Sequence, residues 1–203
     1  MDVSRETLQR LESFAALLEH WNRAINLVGK NSLGDLWRRH ILDSAQLLDL
    51  LPPAPGTRAR VLVDLGSGAG FPGLILAILG AGSVHLVEAD RKKAAFLRAA
   101  ARETGTEVAV HNLRIEDLAP PAADVVTARA LAPLSRLLAY AAPILGPPAR
   151  GGVALFPKGR SLDQELTDSR QKWMMRTEIF ASRSDPEGRV VRLSGLARRG
   201  SGT

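Results

Sequence analysis

Two textures of apolar spacing divide the chain. Between residues 4 and 28, Leu8, Leu11, Phe14, Leu18, Trp21 and Ile25 recur at intervals of three and four, which predicts a helix with one buried face. Asp35 can cap a second helix carrying Leu36, His40, Leu47, Leu48 and Leu51, which the stretch Pro52-Pro53-Ala54-Pro55-Gly56 ends. From Arg60 onward, short apolar runs alternate with helical spacing, the pattern of a parallel sheet with crossover helices. Strands are predicted at 61–65, 84–88, 108–111, 124–128 and 153–156, with helices at 72–79, 90–103, 133–145 and 162–171. Segments 174–180 and 190–193, joined by the turn Asp185-Pro186-Glu187-Gly188, read as an antiparallel hairpin at the sheet's edge. The Arg-, Gly- and Ser-rich tail 197–203 reads as frayed. The expected fold is α/β, a doubly wound and mostly parallel sheet with an antiparallel C-terminal hairpin. A helical segment, residues 1–56, precedes the sheet unit, residues 57–203, in one compact whole.

The strongest local signal is VLVDLGSGAGFPG, residues 61–73, where an apolar strand runs straight into Gly66, Gly68 and Gly70. Glycines here permit positive φ and close approach of a ligand, and the next helix presents its N-terminal amides. Dinucleotide enzymes carry G-x-G-x-x-G in the same place, but the spacing here is G-x-G-x-G with Asp64 two residues ahead. An acidic strand end suits the sulfonium cation of S-adenosylmethionine better than a pyrophosphate, so the motif favours a methyltransferase over a dehydrogenase. Glu88 ends the next strand, 22 residues after Gly66, where a carboxylate can accept from both ribose hydroxyls of an adenosine. Both nucleotide classes want that contact.

Composition narrows the chemistry. There is no cysteine, which excludes disulfides, thiolate-zinc sites and any cysteine nucleophile, and no metal site is expected. No run of about 18 apolar residues occurs and the start MDVSRETLQR lacks a signal peptide's apolar stretch, so a soluble cytoplasmic protein is expected. The formal charge of +6 suits a polyanionic partner, and residues 150–203 hold 11 basic against 6 acidic side chains. A basic composition alone does not decide between an RNA partner and a genome rich in Arg codons.

Several separated strings match one family in order: WNRAINLV (21–28), RRHILDS (38–44), DLGSGAGFPGLILAI (64–78), LVEADRKKAAFLR (86–98), RIEDL (114–118), VVTARALAPL (125–134) and PKG (157–159). The sequence resembles the bacterial small-subunit ribosomal RNA guanine-N7 methyltransferases, the glucose-inhibited division protein B family, over residues 8–195. The resemblance implies a Rossmann-like class I methyltransferase fold, S-adenosylmethionine as cofactor, and transfer of a methyl group to N7 of a guanine in 16S ribosomal RNA. It implies that Gly66 and Phe71 line the cofactor pocket, Ile115 and Glu116 frame the adenine, and Arg129 completes the site. His40 and Asp43 would face the active site, as positioning candidates beside Arg129. Candidates for the RNA phosphates are Arg38, Arg39, Lys158, Arg160, Arg189 and Arg192, with the resemblance supporting Lys158 most. Lys92 and Lys93 read as a solvated helix face.

The absences agree with ring-nitrogen chemistry. Cytosine-C5 methylation needs a cysteine, and the N-P-P-[YF] loop of amino-group methylation is replaced after the fourth strand by Thr127-Ala128-Arg129-Ala130. The acceptor guanine is expected in a loop or bulge of free 16S RNA or of the small subunit, since N7 is shielded in the deep groove of A-form RNA. The protein is expected to act as a monomer. Three alternatives stay open at this point: methylation of another RNA site or a small molecule, a nicotinamide oxidoreductase, and an RNA-binding module that keeps the fold without chemistry.

Overall fold

Apolar runs too short for helices pair side by side. The computed structural model describes residues 3–119 and 122–200. Strands β1 (Val61–Leu65), β2 (Ser83–Val87), β3 (Ala109–His111), β4 (Val125–Ala128) and β5 (Val153–Lys158) run parallel. The hairpin β6 (Trp173–Ala181) and β7 (Arg189–Arg198) completes the sheet, with β7 antiparallel to β5, giving the order β3-β2-β1-β4-β5-β7-β6. The predicted hairpin is therefore present, with its second strand inside and its first at the edge.

Alternation along each strand sends side chains into two cores. Leu62, Val84, Leu86, Val125 and Leu155 join one core, and Val63, Leu65, Val87, Val126, Ala154 and Phe156 the other. The first core is closed by α1 (Arg5–Asn22), and by α4 (Gly73–Ile78) and α5 (Arg91–Glu103) in the crossovers. The second is closed by α6 (Leu134–Leu145) and α7 (Leu162–Arg170). Crossovers on opposite faces make the strand order reverse between β1 and β4. Doubly wound sheets open a crevice at that place, outside the carboxyl ends of the strands.

The N-terminal segment differs from its sequence reading in two places. Helix α1 starts at the Ser4 cap, whose hydroxyl accepts the Thr7 N–H at 3.1 Å, but it stops at Asn22 and does not run on to residue 28. The Asn22 Oδ1 accepts the N–H groups of Leu27 and Val28, both at 2.9 Å, folding the chain into a turn that still packs Ile25 on the core. The second predicted helix is broken into pieces. After a short, unpredicted α2 (Lys30–Leu33), its place is taken by a π-helix at Trp37–Leu42, one α-turn α3 (Asp43–Ala45) and a 3₁₀ stretch at Gln46–Leu50. Asp35 does not cap it with its side chain, because that carboxylate is taken by Arg38. π-helical turns place an extra residue per turn and occur most at functional sites.

Strand β5 continues through Pro157 to Lys158, two residues past the prediction. Its last pair with β4 is at Leu155, so Pro157 needs a ladder partner on one side only. Ala197 and Arg198, read as part of a frayed tail, belong to β7, and residues 201–203 lie outside the described ones. Among the described residues, no helix is long and apolar enough to cross a membrane.

Phe14 ties α1 to the sheet unit. Its fully buried ring meets Phe71 edge-on at 5.5 Å and Phe96 at 6.2 Å. Phe14→Ala is expected to cost about 3–5 kcal/mol of unfolding free energy, the range for deleting a buried aromatic. Urea unfolding checks this, and a loss under about 1 kcal/mol would mean that α1 does not share the common core.

Candidate active site

The turn after β1 is shaped from inside by a buried acid. Asp64 has no exposed surface; its Oδ1 accepts the Thr127 hydroxyl at 2.7 Å and its Oδ2 the Gly73 N–H at 3.2 Å. Burial raises its pKa to about 6, against these hydrogen bonds that favour the charged form. A side chain on Gly73 has no room, since a Cβ there would lie 2.5 Å from the Asp64 Cβ. The carboxylate thus fastens β1, β4 and the start of α4 together and does not reach the ligand side. The electrostatic reading of Asp64 as partner for a cation is corrected by its position, fully buried and turned away from the cleft.

The cleft itself has a volume of about 420 Å³ and opens over the carboxyl ends of β1, β2, β3 and β4. Gly66 and Gly68 form its floor, with Gly66 at φ +66° and a Cβ there meeting the Leu131 Cδ1 at 2.7 Å. Glu88 stands at one wall, 9% exposed, with Oε2 accepting the Gly68 N–H and Oε1 the Asp90 N–H, each at 2.8 Å. Each oxygen keeps a second acceptor position. Ile115 and Glu116, on a 3₁₀ turn after β3, form another wall. Glu116 accepts the Tyr140 hydroxyl at 2.8 Å, and Tyr140 accepts from the Arg136 Nε at 2.8 Å. The Glu116 backbone N–H first, then the Tyr140 hydroxyl, hold its pKa below the ordinary carboxylate value.

Of the predicted cofactor residues, Gly66, Gly68, Glu88, Ile115, Glu116 and Arg129 line this cleft, and Asp64, Gly70 and Phe71 do not. Gly70 sits on the inner side of the turn, donating to the Ser67 carbonyl at 2.7 Å. Phe71 is buried on the far side, beneath His40 and Arg129. Lys93, Leu113, Arg114, Leu131, Arg136 and Tyr140 also line the cleft and were not predicted. Lys93 had been read as a solvated helix face; the Asp90 cap, accepting the Lys92 and Lys93 N–H groups, aims the first turn of α5 at the cleft instead. Arg136 and Tyr140, one helical turn apart on α6, carried a spacing signal for a shared face.

Arg129, His40 and Asp43 do meet. The Arg129 guanidinium lies 5.0 Å above the Phe71 ring, 3.3 Å from Asp43, and donates to the His40 Nδ1 at 2.5 Å and the Arg39 carbonyl at 3.0 Å. The His40 ring stacks on Phe71 at 4.9 Å. Burial first, then the positive charges of Arg129 and Arg39, lower the His40 pKa to about 4. His40 is therefore neutral at pH 7, with Nδ1 already used as an acceptor. Its buried Nε2 has no hydrogen-bond partner.

The predicted RNA cations are mostly compensated. Arg38 pairs with Asp35, Lys158 with Glu165 at 2.6 Å, Arg160 with Glu187, Arg189 with Asp163 at 3.1 Å and Arg192 with Glu178 at 3.5 Å. Lys158, 11% exposed, is a buried link from β5 to α7 and α6, because Glu165 also accepts the Leu134 N–H. Arg192 lines a separate hollow with Arg176 and Glu178. Among the described residues, the Arg39 side chain alone of the six has no ion-pair partner.

A family model described as "GidB: rRNA small subunit methyltransferase G" matches residues 7–185. The chain belongs to this family. Relatives named ribosomal RNA small subunit methyltransferase G include one from Rhodospirillum rubrum, 59% identical over 97% of this chain and 94% of its own length. Another, from Rhodospirillum centenum, is 59% identical over 98% of this chain and 88% of its own. Among solved structures, a putative O-methyltransferase from Klebsiella pneumoniae superposes with a TM-score of 0.58 at 17% identity, covering 90% of each chain. The T. thermophilus 16S rRNA N2 G1207 methyltransferase, in complex with AdoMet and guanosine, does so with a TM-score of 0.55 at 18% identity, over 76% of this chain and 39% of that one. The fold of this GidB-family chain is that of the class I methyltransferases.

The low His40 pKa has a measurable consequence. A depressed folded-state value means that the unfolded chain binds the proton more readily, so His40 supports stability above pH 6.5 and withdraws it as pH falls toward 4. Arg129→Ala removes the second largest cause and is expected to raise the His40 pKa, read from its imidazole proton shifts by NMR. An unmoved titration would show that the Arg129 charge does not contribute.

Proposed function

We propose that this chain methylates N7 of a guanine in 16S ribosomal RNA with S-adenosylmethionine as donor. The observation that carries the reading is the cleft at the strand-order reversal, in a chain of the small-subunit rRNA methyltransferase family, with Glu88 fixed against the glycine turn. The residues fit an adenosine sulfonium. Glu88 offers one further acceptor position on each oxygen for the two ribose hydroxyls, and Leu113 with Ile115 offers an apolar face for the adenine. Lys93, Arg114, Arg129 and Arg136 outnumber Glu88 and Glu116 around the cleft, which suits the carboxylate of the donor's amino-acid end. Bound there, S-adenosylmethionine supplies an electrophilic methyl carbon.

The chain's own residues then have two tasks, alignment and exclusion of water. Guanine N7 carries a free lone pair, so no proton has to be removed, and positioning can supply about 7–11 kcal/mol of the barrier. The state of the nearby groups fits such a reaction. His40 is neutral with its Nδ1 engaged, and Asp43 is held by Arg129, Ser184 and Gln46, so neither stands ready as a base. Both instead hold Arg129 at the rim of the cleft. The RNA reaches this rim as a monomeric enzyme's substrate in the cytoplasm, with Arg39 the uncompensated cation beside it. On this reading the chain divides into an N-terminal segment, 1–56, and the donor-binding unit, 57–203.

Calorimetry with S-adenosylmethionine tests the cofactor half. Glu88→Gln is expected to weaken binding by about tenfold or more, the scale of one charged hydrogen bond. Unchanged affinity removes Glu88 from the site. Mapping of 7-methylguanosine in 16S ribosomal RNA from cells lacking this protein tests the reaction: one such mark is expected to vanish, and a full set of marks would refute it.

A further inference from the structure

A second hollow, of about 270 Å³, lies behind the segment Arg129–Ala132. Arg129, Ala130 and Ala132 line both it and the cofactor cleft, so a group seated here is separated from the donor by one stretch of backbone. That stretch is strained: Ala130 has φ +52°, a left-handed conformation that L residues hold only when surroundings impose it. The volume is below the roughly 300–1,000 Å³ of whole-ligand pockets. It suits one base.

Charge in this hollow is nearly cancelled. Asp43 is paired with Arg129, Lys158 with Glu165, and Arg189 with Asp163. Asp185 is the exception: among the described residues it has no cation within 4.0 Å. Its Oδ1 accepts the Glu187 N–H at 3.0 Å, and its Oδ2 has no partner there. The turn that carries it is held in place against the π-helical segment. The Ser184 hydroxyl donates to Asp43 at 2.6 Å, the Arg183 N–H to the Gln46 Oε1 at 2.8 Å, and Arg38 to the Ser184 carbonyl at 2.7 Å. Asp185 is exposed and also borders a hollow with Arg38 and Arg39, so its carboxylate, solvated in the free chain and without an ion pair among the described residues, is available to a ligand with adjacent N–H donors.

We propose that this hollow receives the acceptor guanine and that Asp185 reads its Watson–Crick edge. This rests on the reading of the first cleft as the donor site. Guanine presents N1–H and the N2 amino group side by side, a pair that one carboxylate accepts, and both lie on the edge away from N7. Adenine presents an acceptor at N1 and is rejected, because a carboxylate facing a lone pair is left unsatisfied. Methylation at N7 makes the base cationic, so the contact strengthens as the product forms, which is the differential binding that accelerates a reaction.

Binding of mononucleotides to the full chain, followed by amide NMR shifts, tests this without turnover. Wild type, saturated with S-adenosylhomocysteine, is expected to bind 7-methylguanosine monophosphate more tightly than guanosine monophosphate, and that about tenfold more tightly than inosine monophosphate, which lacks the N2 amino group. Shifts are expected at residues 182–188. Asp185→Ala is expected to level the three affinities, and Asp185→Asn, which keeps one acceptor, to fall between. Equal preferences in wild type and Asp185→Ala, or no shifts at 182–188 with any nucleotide, overturn the assignment. Failure of S-adenosylhomocysteine to bind wild type instead overturns the donor-site reading beneath it.

Discussion

A guanidinium taken out of water at the switch point of the sheet has to be compensated on several sides, and Arg129 recruits its compensation from distant parts of the chain. Burial works against its charge, while Asp43 offsets part of that cost. Further N–H groups donate to His40 and the Arg39 carbonyl, and its flat face rests on Phe71. The π-helical segment, the glycine turn and the end of β4 are therefore held in one mutual position. Phe71 in turn meets Phe14, which carries the constraint to α1.

The carboxylates around this centre show how environment divides one residue type among several tasks. Asp64 is wholly internal and braces the turn. Glu88 is half committed, one backbone N–H to each oxygen, and keeps capacity for a ligand. Glu165 neutralises Lys158 and caps α6. Asp185, on a turn tied down by its neighbours, keeps an unpaired oxygen. Buried charges are satisfied within the protein, whereas the exposed Asp185 keeps acceptor capacity for water or a ligand.

Much of the fold was legible because it follows from periodicity. Alternating apolar runs placed the five parallel strands to within two residues, and helical spacing placed α5 and α6 to within one. The stretch after Asp35 was not legible. Its apolar positions fit an α-helix, but Arg38 takes the Asp35 carboxylate and the Ser44 hydroxyl donates back to the His40 carbonyl, and the backbone settles into π, α and 3₁₀ turns. The hairpin was visible, yet the insertion of β7 between β5 and β6 is a matter of long-range pairing that local spacing does not encode.

By itself, the amino-acid sequence determined the α/β class, the glycine turn after the first strand, the acidic residue after the second and the lack of any cysteine chemistry. Those are properties of single residues and of their spacing. Tertiary structure decided which charges are free. Asp64 turned inward, Phe71 went beneath Arg129, Lys158 was neutralised by Glu165, and Lys93 and Tyr140 came to the cleft. Whether a charged side chain faces a ligand or a neighbour depends on partners up to 146 residues away, as with Arg38 and Ser184. Only the folded chain brings such partners within hydrogen-bonding reach.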